Sequence, residues 1–137
     1  MIILKGPAAV SRVADPDIRG LVQQRFSEVC AGEPYDYDTH GYMIVVEPGD
    51  TPEALEEETG CAILRDMFDD VRFGDPDFSP SFEALEEHHE CYEMLFITND
   101  EGFGITIWIP KTKKGIEAGL LAMCAAYAVP ATEPILP

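Results

Sequence analysis

Two apolar stretches, Cys91–Thr98 and Phe103–Ile109, stand on either side of the turn-forming run Asn99-Asp100-Glu101-Gly102. Strand-length runs rich in aromatic and β-branched residues, joined by a short loop of Asn, Asp and Gly, define a β-hairpin. This constrains the fold more than any other feature, because the rest of the chain must then be organised around a sheet. Residues 42–47 supply a central strand, with five of six positions apolar or aromatic. Residues 2–5 read as a short first strand.

Helical segments surround these strands. Asp15-Pro16-Asp17 carries an acidic cap and a proline at the first helical position. Ile18, Leu21, Val22, Phe26, Val29 and Cys30 follow at helical spacing, and Gly32 and Pro34 end the run. Residues 33–40 read as a polar loop containing Tyr35 and Tyr37. Asp50-Thr51-Pro52 opens a short second helix, closed by Gly60, and residues 61–64 suit either a strand or a helix extension. Residues 66–80 carry loop signals, among them Gly74-Asp75-Pro76-Asp77. Ser81 caps a third expected helix, running to about His89. A last helix, near 116–128, is rich in Leu, Ala and Met and has little polar face, so it is expected to be largely buried. The expected fold is α+β: a mostly antiparallel sheet of about four strands with helices packed on it. The length of 137 residues suits one domain, here residues 1–130, with a frayed, proline-rich tail over 131–137.

One internal echo bears on this reading. Thr51–Cys61 and Ser81–Cys91 agree at six of eleven positions, both containing Glu-Ala-Leu-Glu-Glu. A duplicated helix–strand unit is one explanation. Convergence is favoured, because these residues are good helix formers and nothing else repeats at a period of thirty.

Charge narrows the function. Of 26 acidic residues, eighteen lie between Glu47 and Glu101, against only Arg65 and Arg72, so this segment carries −16 of the total −17. Disorder also requires low hydrophobicity, and 46% hydrophobic residues argue against it. Such a field disfavours direct contact with nucleic acid or an anionic membrane and favours cationic protein surfaces or metal ions. The N-terminus lacks a signal-peptide pattern and no run suits a spanning helix, so a cytoplasmic location is expected. Cys30, Cys61, Cys91 and Cys124 are about thirty residues apart. They read as buried free thiols, not as a metal or disulfide framework.

Catalytic motifs are sparse. Glu86-Glu87-His88-His89-Glu90-Cys91 is the one crowd of histidines and carboxylates. On a helix Glu86 and Glu90 would share a face, forming a weak metal candidate with His88 or His89. The two adjacent histidines would point about 100° apart, so no metal is assigned. Asp75, Asp77, Ser79 and Glu86 follow the EF-hand ligand spacing, but Pro80 stands where glycine must turn the chain. No serine has a G-x-S-x-G context, and neither a Walker loop nor a Rossmann fingerprint is present. No cofactor is implied, and no catalytic residue is assigned. Lys111-Thr112-Lys113-Lys114 is the one basic stretch; it suits solubility or pairing with the acidic face of a second copy.

The stretch Cys91–Lys111, with Phe73–Phe78 and Phe82–Glu87 before it, resembles a group of uncharacterised accessory proteins encoded on proteobacterial plasmids and integrative elements. That resemblance implies a bacterial, mobile-element setting and carries no functional residues with it. Small acidic proteins in that setting act as anti-restriction proteins, immunity proteins or antitoxins.

The function expected from the residues is therefore a non-enzymatic interaction protein engaging a basic protein surface, such as a nucleic-acid-binding protein. A DNA mimic or immunity-like factor would work this way. The expected protein-binding residues are Glu53, Glu56, Glu57, Asp69, Asp70, Asp75 and Asp77, with Phe73 and Phe78 as aromatic anchors. The alternative is a small enzyme or metal- or ligand-binding protein using Glu86–Cys91. A third reading is a homo-oligomeric assembly subunit, with Gly119, Ala122, Ala125 and Ala126 permitting close helix approach.

Overall fold

The apolar runs form the middle of one sheet. In a computed structural model, which describes residues 1–59, 80–87, 89–98 and 104–128, the strands are β1 (Ile2–Leu4), β2 (Tyr42–Val45), β3 (Pro80–Glu87), β4 (Cys91–Thr98) and β5 (Gly104–Pro110). Their spatial order is β1-β2-β5-β4-β3. Three pairings are antiparallel; β2 and β5 run parallel, with Tyr42 opposite Ile105 and Val45 opposite Trp108. The fold is α+β as expected, and the sheet is mixed.

Helices cover both faces of the sheet, which explains why the central strands read as unbroken apolar runs and not as alternating ones. One face packs against α1 (Pro16–Cys30) and a 3₁₀ turn over Pro7–Arg12, burying Leu4, Val22, Phe26, Met43 and Trp108. The other packs against α3 (Pro52–Thr59) and α4 (Ala118–Ala128), burying Ile44, Leu55, Met94, Ile107 and Leu120. Each such side chain contributes about 1.5–3 kcal/mol when fully buried. The short α2 (Tyr37–His40) lies within the stretch expected to be a polar loop. No helix among the described residues is long and apolar enough to cross a membrane.

The α1 boundaries follow from local chemistry. Asp15 Oδ1 accepts from the backbone N–H groups of Asp17 at 2.9 Å and Ile18 at 3.3 Å, satisfying donors that have no partner within the helix. The helix ends at Cys30: the capping residue is Ala31, not Gly32, and it takes the left-handed conformation at φ 52° and donates to the Ser27 carbonyl.

The segment expected to be a third helix is instead β3. Its partner β4 would otherwise be left as an apolar edge. The apolar positions 82 and 85 are three apart, a helical spacing. A register irregularity between Phe82 and Ala84 sets position 82 opposite Phe96 and position 85 opposite Met94. Phe96 and Met94 are two apart on β4, so one bulged residue converts a helical spacing into a strand one. The echo is consequently not a duplicated unit, since Glu-Ala-Leu-Glu-Glu is helical in α3 and extended in β3.

The last helix also departs from expectation. Leu120 and Cys124 are buried, whereas Ala118, Gly119 and Ala122 are exposed. Its two faces differ in residue size more than in polarity, and size does not register in an apolar pattern. The tail at 131–137 lies outside the described residues.

Candidate functional site

Among the expected protein-binding residues, Glu53, Glu56 and Glu57 fall on α3. Pro52 and Leu55 are buried, which turns Glu53 and Glu57 to solvent and leaves Glu56 and Glu58 half-buried. Glu47 and Asp50, just before this helix, hold the N-terminal ammonium of Met1 at 3.0 and 2.9 Å. These two carboxylates therefore serve the fold. Asp69, Asp70, Phe73, Asp75, Asp77 and Phe78 lie outside the described residues.

The Glu86–Cys91 candidate loses its geometry. Glu86 is in β3, its position opposite Glu93, so the shared helical face of Glu86 and Glu90 does not exist. His89 is exposed, 3.9 Å from Glu90 Oε2, and His88 lies outside the described residues. Among the described residues no three His, Cys, Asp or Glu side chains are grouped to hold a metal ion. Cys91 and Cys124 are buried free thiols, and loss of solvation pushes each up to about 12. Glu93 and Glu90 push Cys91 further in the same direction. Neither thiol is a nucleophile at neutral pH. Cys61 lies outside the described residues.

The loop tyrosines fold back on the protein. Tyr35 meets Phe26 edge-on, with ring centroids 5.9 Å apart, and its hydroxyl donates to the Gly41 carbonyl. Tyr37 stacks on Tyr42 with 8° between the planes, and Lys5 Nζ lies 5.5 Å from the Tyr37 centroid. In the basic stretch, Lys111 Nζ sits 4.8 Å from the Tyr92 centroid, a cation–π contact.

Sequence reasoning missed a cleft of about 420 Å³ between the end of α1, the α2 segment and the sheet. Its floor comes from β2, β4 and β5. Met43, Leu95 and Thr106 are register neighbours, so all three project to the α1 side. Val29, Cys30, Ala31 and Glu33 form one wall, and Thr39 and His40 the other. Thr106 is 3% exposed, and its hydroxyl makes no hydrogen bond among the described residues. An unsatisfied buried hydroxyl costs roughly 1–3 kcal/mol.

The α2 wall is fixed by a small hydrogen-bond network. Asp36 Oδ2 accepts from Thr39 N–H at 3.1 Å and from Thr39 Oγ1–H at 2.6 Å. The Asp36 N–H donates to His40 Nδ1 at 2.9 Å, which leaves the proton of the neutral ring on Nε2. Gly41 then turns the chain into β2 at φ 75°. A Cβ there would sit 1.7 Å from the Gly104 carbonyl oxygen, so only glycine fits.

Beside the cleft, Arg25 of α1 binds Glu93 of β4 through Nε–Oε2 at 2.5 Å and Nη2–Oε1 at 2.7 Å. Glu93 is 3% exposed. A lone charge in the apolar strand Cys-Tyr-Glu-Met-Leu-Phe was the available sequence signal, and Thr106 within Ile-Thr-Ile-Trp-Ile was its counterpart.

No family model, curated protein or solved structure matches this chain.

Proposed function

We propose that the protein is a non-enzymatic interaction protein that presents carboxylates to a basic protein surface. The observation that carries this reading is α3, where buried Pro52 and Leu55 hold the helix so that Glu53 and Glu57 face solvent. Residues 47–59 contain no lysine or arginine. With a total charge of −17, the field accelerates encounter with a cationic partner and repels nucleic acid and anionic membranes. The DNA-binding surface of a nucleic-acid-binding protein is the partner class with this complementarity. The mobile-element resemblance supports an accessory role of the DNA-mimic or immunity type acting in the cytoplasm.

Affinity capture with the tagged protein from a bacterial lysate, at low and high salt and with duplex DNA as competitor, tests this. Capture of basic nucleic-acid-binding proteins, lost at high salt, displaced by DNA and weakened by Glu53→Gln with Glu57→Gln, is expected. Capture indifferent to salt and to DNA would count against it.

A further inference from the structure

We propose that the cleft beneath the end of α1 binds a small organic amine, one with an apolar body, an ammonium group at the rim and a hydrogen-bonding group at the buried end. This is separate from the protein-binding role of α3 and uses none of its residues.

Three features define the ligand. The volume of about 420 Å³ falls within the ordinary range for small-molecule sites, roughly 300–1,000 Å³. Met43 and Leu95 on the floor and Val29 on the wall demand an apolar body. The Thr106 hydroxyl, buried on the same floor and without a hydrogen bond among the described residues, is the polar anchor for the inner end of the ligand. A ligand that hydrogen-bonds there offsets the cost of leaving that hydroxyl unsatisfied.

The sign of the charge comes from the rim. Among the described lining residues Glu33 is the one formally charged side chain, and it makes no ion pair or side-chain hydrogen bond with another described residue. The last turn of α1, which supplies Val29 and Cys30 to the wall, carries the partial negative charge of a helix C-terminus. No basic residue in that turn offsets it. A carboxylate, the helix terminus and the net charge of the protein all favour a cation there and oppose an anion.

Four matched probes test the assignment by ligand-observed NMR and calorimetry on the full chain. Tyramine carries both the ammonium and a hydroxyl; tyrosol replaces the ammonium with a neutral group; para-hydroxyphenylacetate replaces it with an anion; phenethylamine lacks the phenolic hydroxyl. Tyramine is expected to bind best and the anion worst. Glu33→Gln should weaken tyramine about two- to fivefold and leave tyrosol unchanged, as for a solvent-exposed ion pair. Thr106→Val, nearly isosteric and compatible with a strand, should weaken tyramine about three- to tenfold and phenethylamine less. Because Glu33 is exposed, its variant tests the rim even if Thr106→Val folds poorly. No binding by any probe, binding of the anion equal to that of tyramine, or equal loss of tyramine and tyrosol on Glu33→Gln would overturn the proposal.

Discussion

The guanidinium of Arg25 meets the carboxylate of Glu93 side-on, with two bonds at 2.5 and 2.7 Å joining α1 to the centre of the sheet. Arg25 also reaches Glu28 one turn along the helix at 3.1 Å, but Glu28 is half exposed whereas Glu93 is enclosed. Burial decides which pair matters, since a charge left alone in the interior cannot be solvated by water. Arg25→Ala is expected to cost about 2–4 kcal/mol, less than a fully enclosed pair because Arg25 itself is partly wet. Glu28→Ala is expected to cost under about 1 kcal/mol. Urea denaturation of both variants checks this, and equal losses would show that the enclosed pair has no special role.

Gly41→Ala should be among the most damaging single-methyl changes in the chain. The new Cβ would overlap the Gly104 carbonyl, and the backbone conformation there disfavours any side chain by about 1–3 kcal/mol before the clash is counted. Gly20→Ala, which meets nothing within 4 Å on α1, should stabilise by a few tenths to about 1 kcal/mol. Thermal melts of the two variants should move in opposite directions, and a shared direction would contradict this geometry.

Alkaline pH should destabilise the fold in two stages. Burial alone would lower the N-terminal ammonium of Met1, but its bonds to Asp50 and Glu47 outweigh this and raise it above its ordinary 8.0. Its contribution is therefore complete below pH 8.0 and is lost as pH rises through the raised value. Cys91 and Cys124, raised from 9.0 to about 12, stay neutral in the fold while the unfolded chain ionises, so stability falls again between those values. Acetylating the N-terminus should remove the first decline and spare the second. A urea midpoint that rises over the same pH range would be incompatible with these shifts.

Thiol labelling should follow the cleft. Cys30 lines it, whereas Cys91 and Cys124 are fully enclosed and held as thiols. In a Cys61→Ser background, a small alkylating reagent should modify Cys30 first under native conditions, and the other two only on unfolding. Mass spectrometry of digested protein reads the order directly. Early labelling of Cys124 would mean that α4 opens readily from the sheet.

Much of this architecture was legible because local and tertiary demands agreed. Asp15-Pro16 caps α1 as its chemistry requires, and β2, β4 and β5 lie where the apolar runs placed them. Elsewhere a partner distant in sequence decided. Glu-Ala-Leu-Glu-Glu prefers helix by composition, and α3 satisfies that preference. In β3 the same letters pair with β4, and the bulge between Phe82 and Ala84 hides the strand period. The cleft was hidden for a related reason: Cys30, Glu33, His40 and Thr106 come from four separate stretches, and no spacing along one element connects them. For the expected acidic face, the helix α3 accounts for Glu53, Glu56 and Glu57, and two of the neighbouring acids hold the amino terminus.

The parallel pairing of β2 with β5 sets an order of assembly. Tyr42 and Ile105 are 63 residues apart, so the middle of the sheet closes only after β5 has been made. The β4–β5 pairing forms locally, while β2 must wait across a long loop whose closure is entropically costly. During synthesis Tyr42–Val45 is an apolar segment with no lasting partner on the β5 side, exposed to aggregation or to a chaperone. A chain ended before Gly104 should show no protected β2 amides in hydrogen exchange, whereas the full chain should protect them among its slowest. Completion of the sheet would thus wait for β5 to emerge.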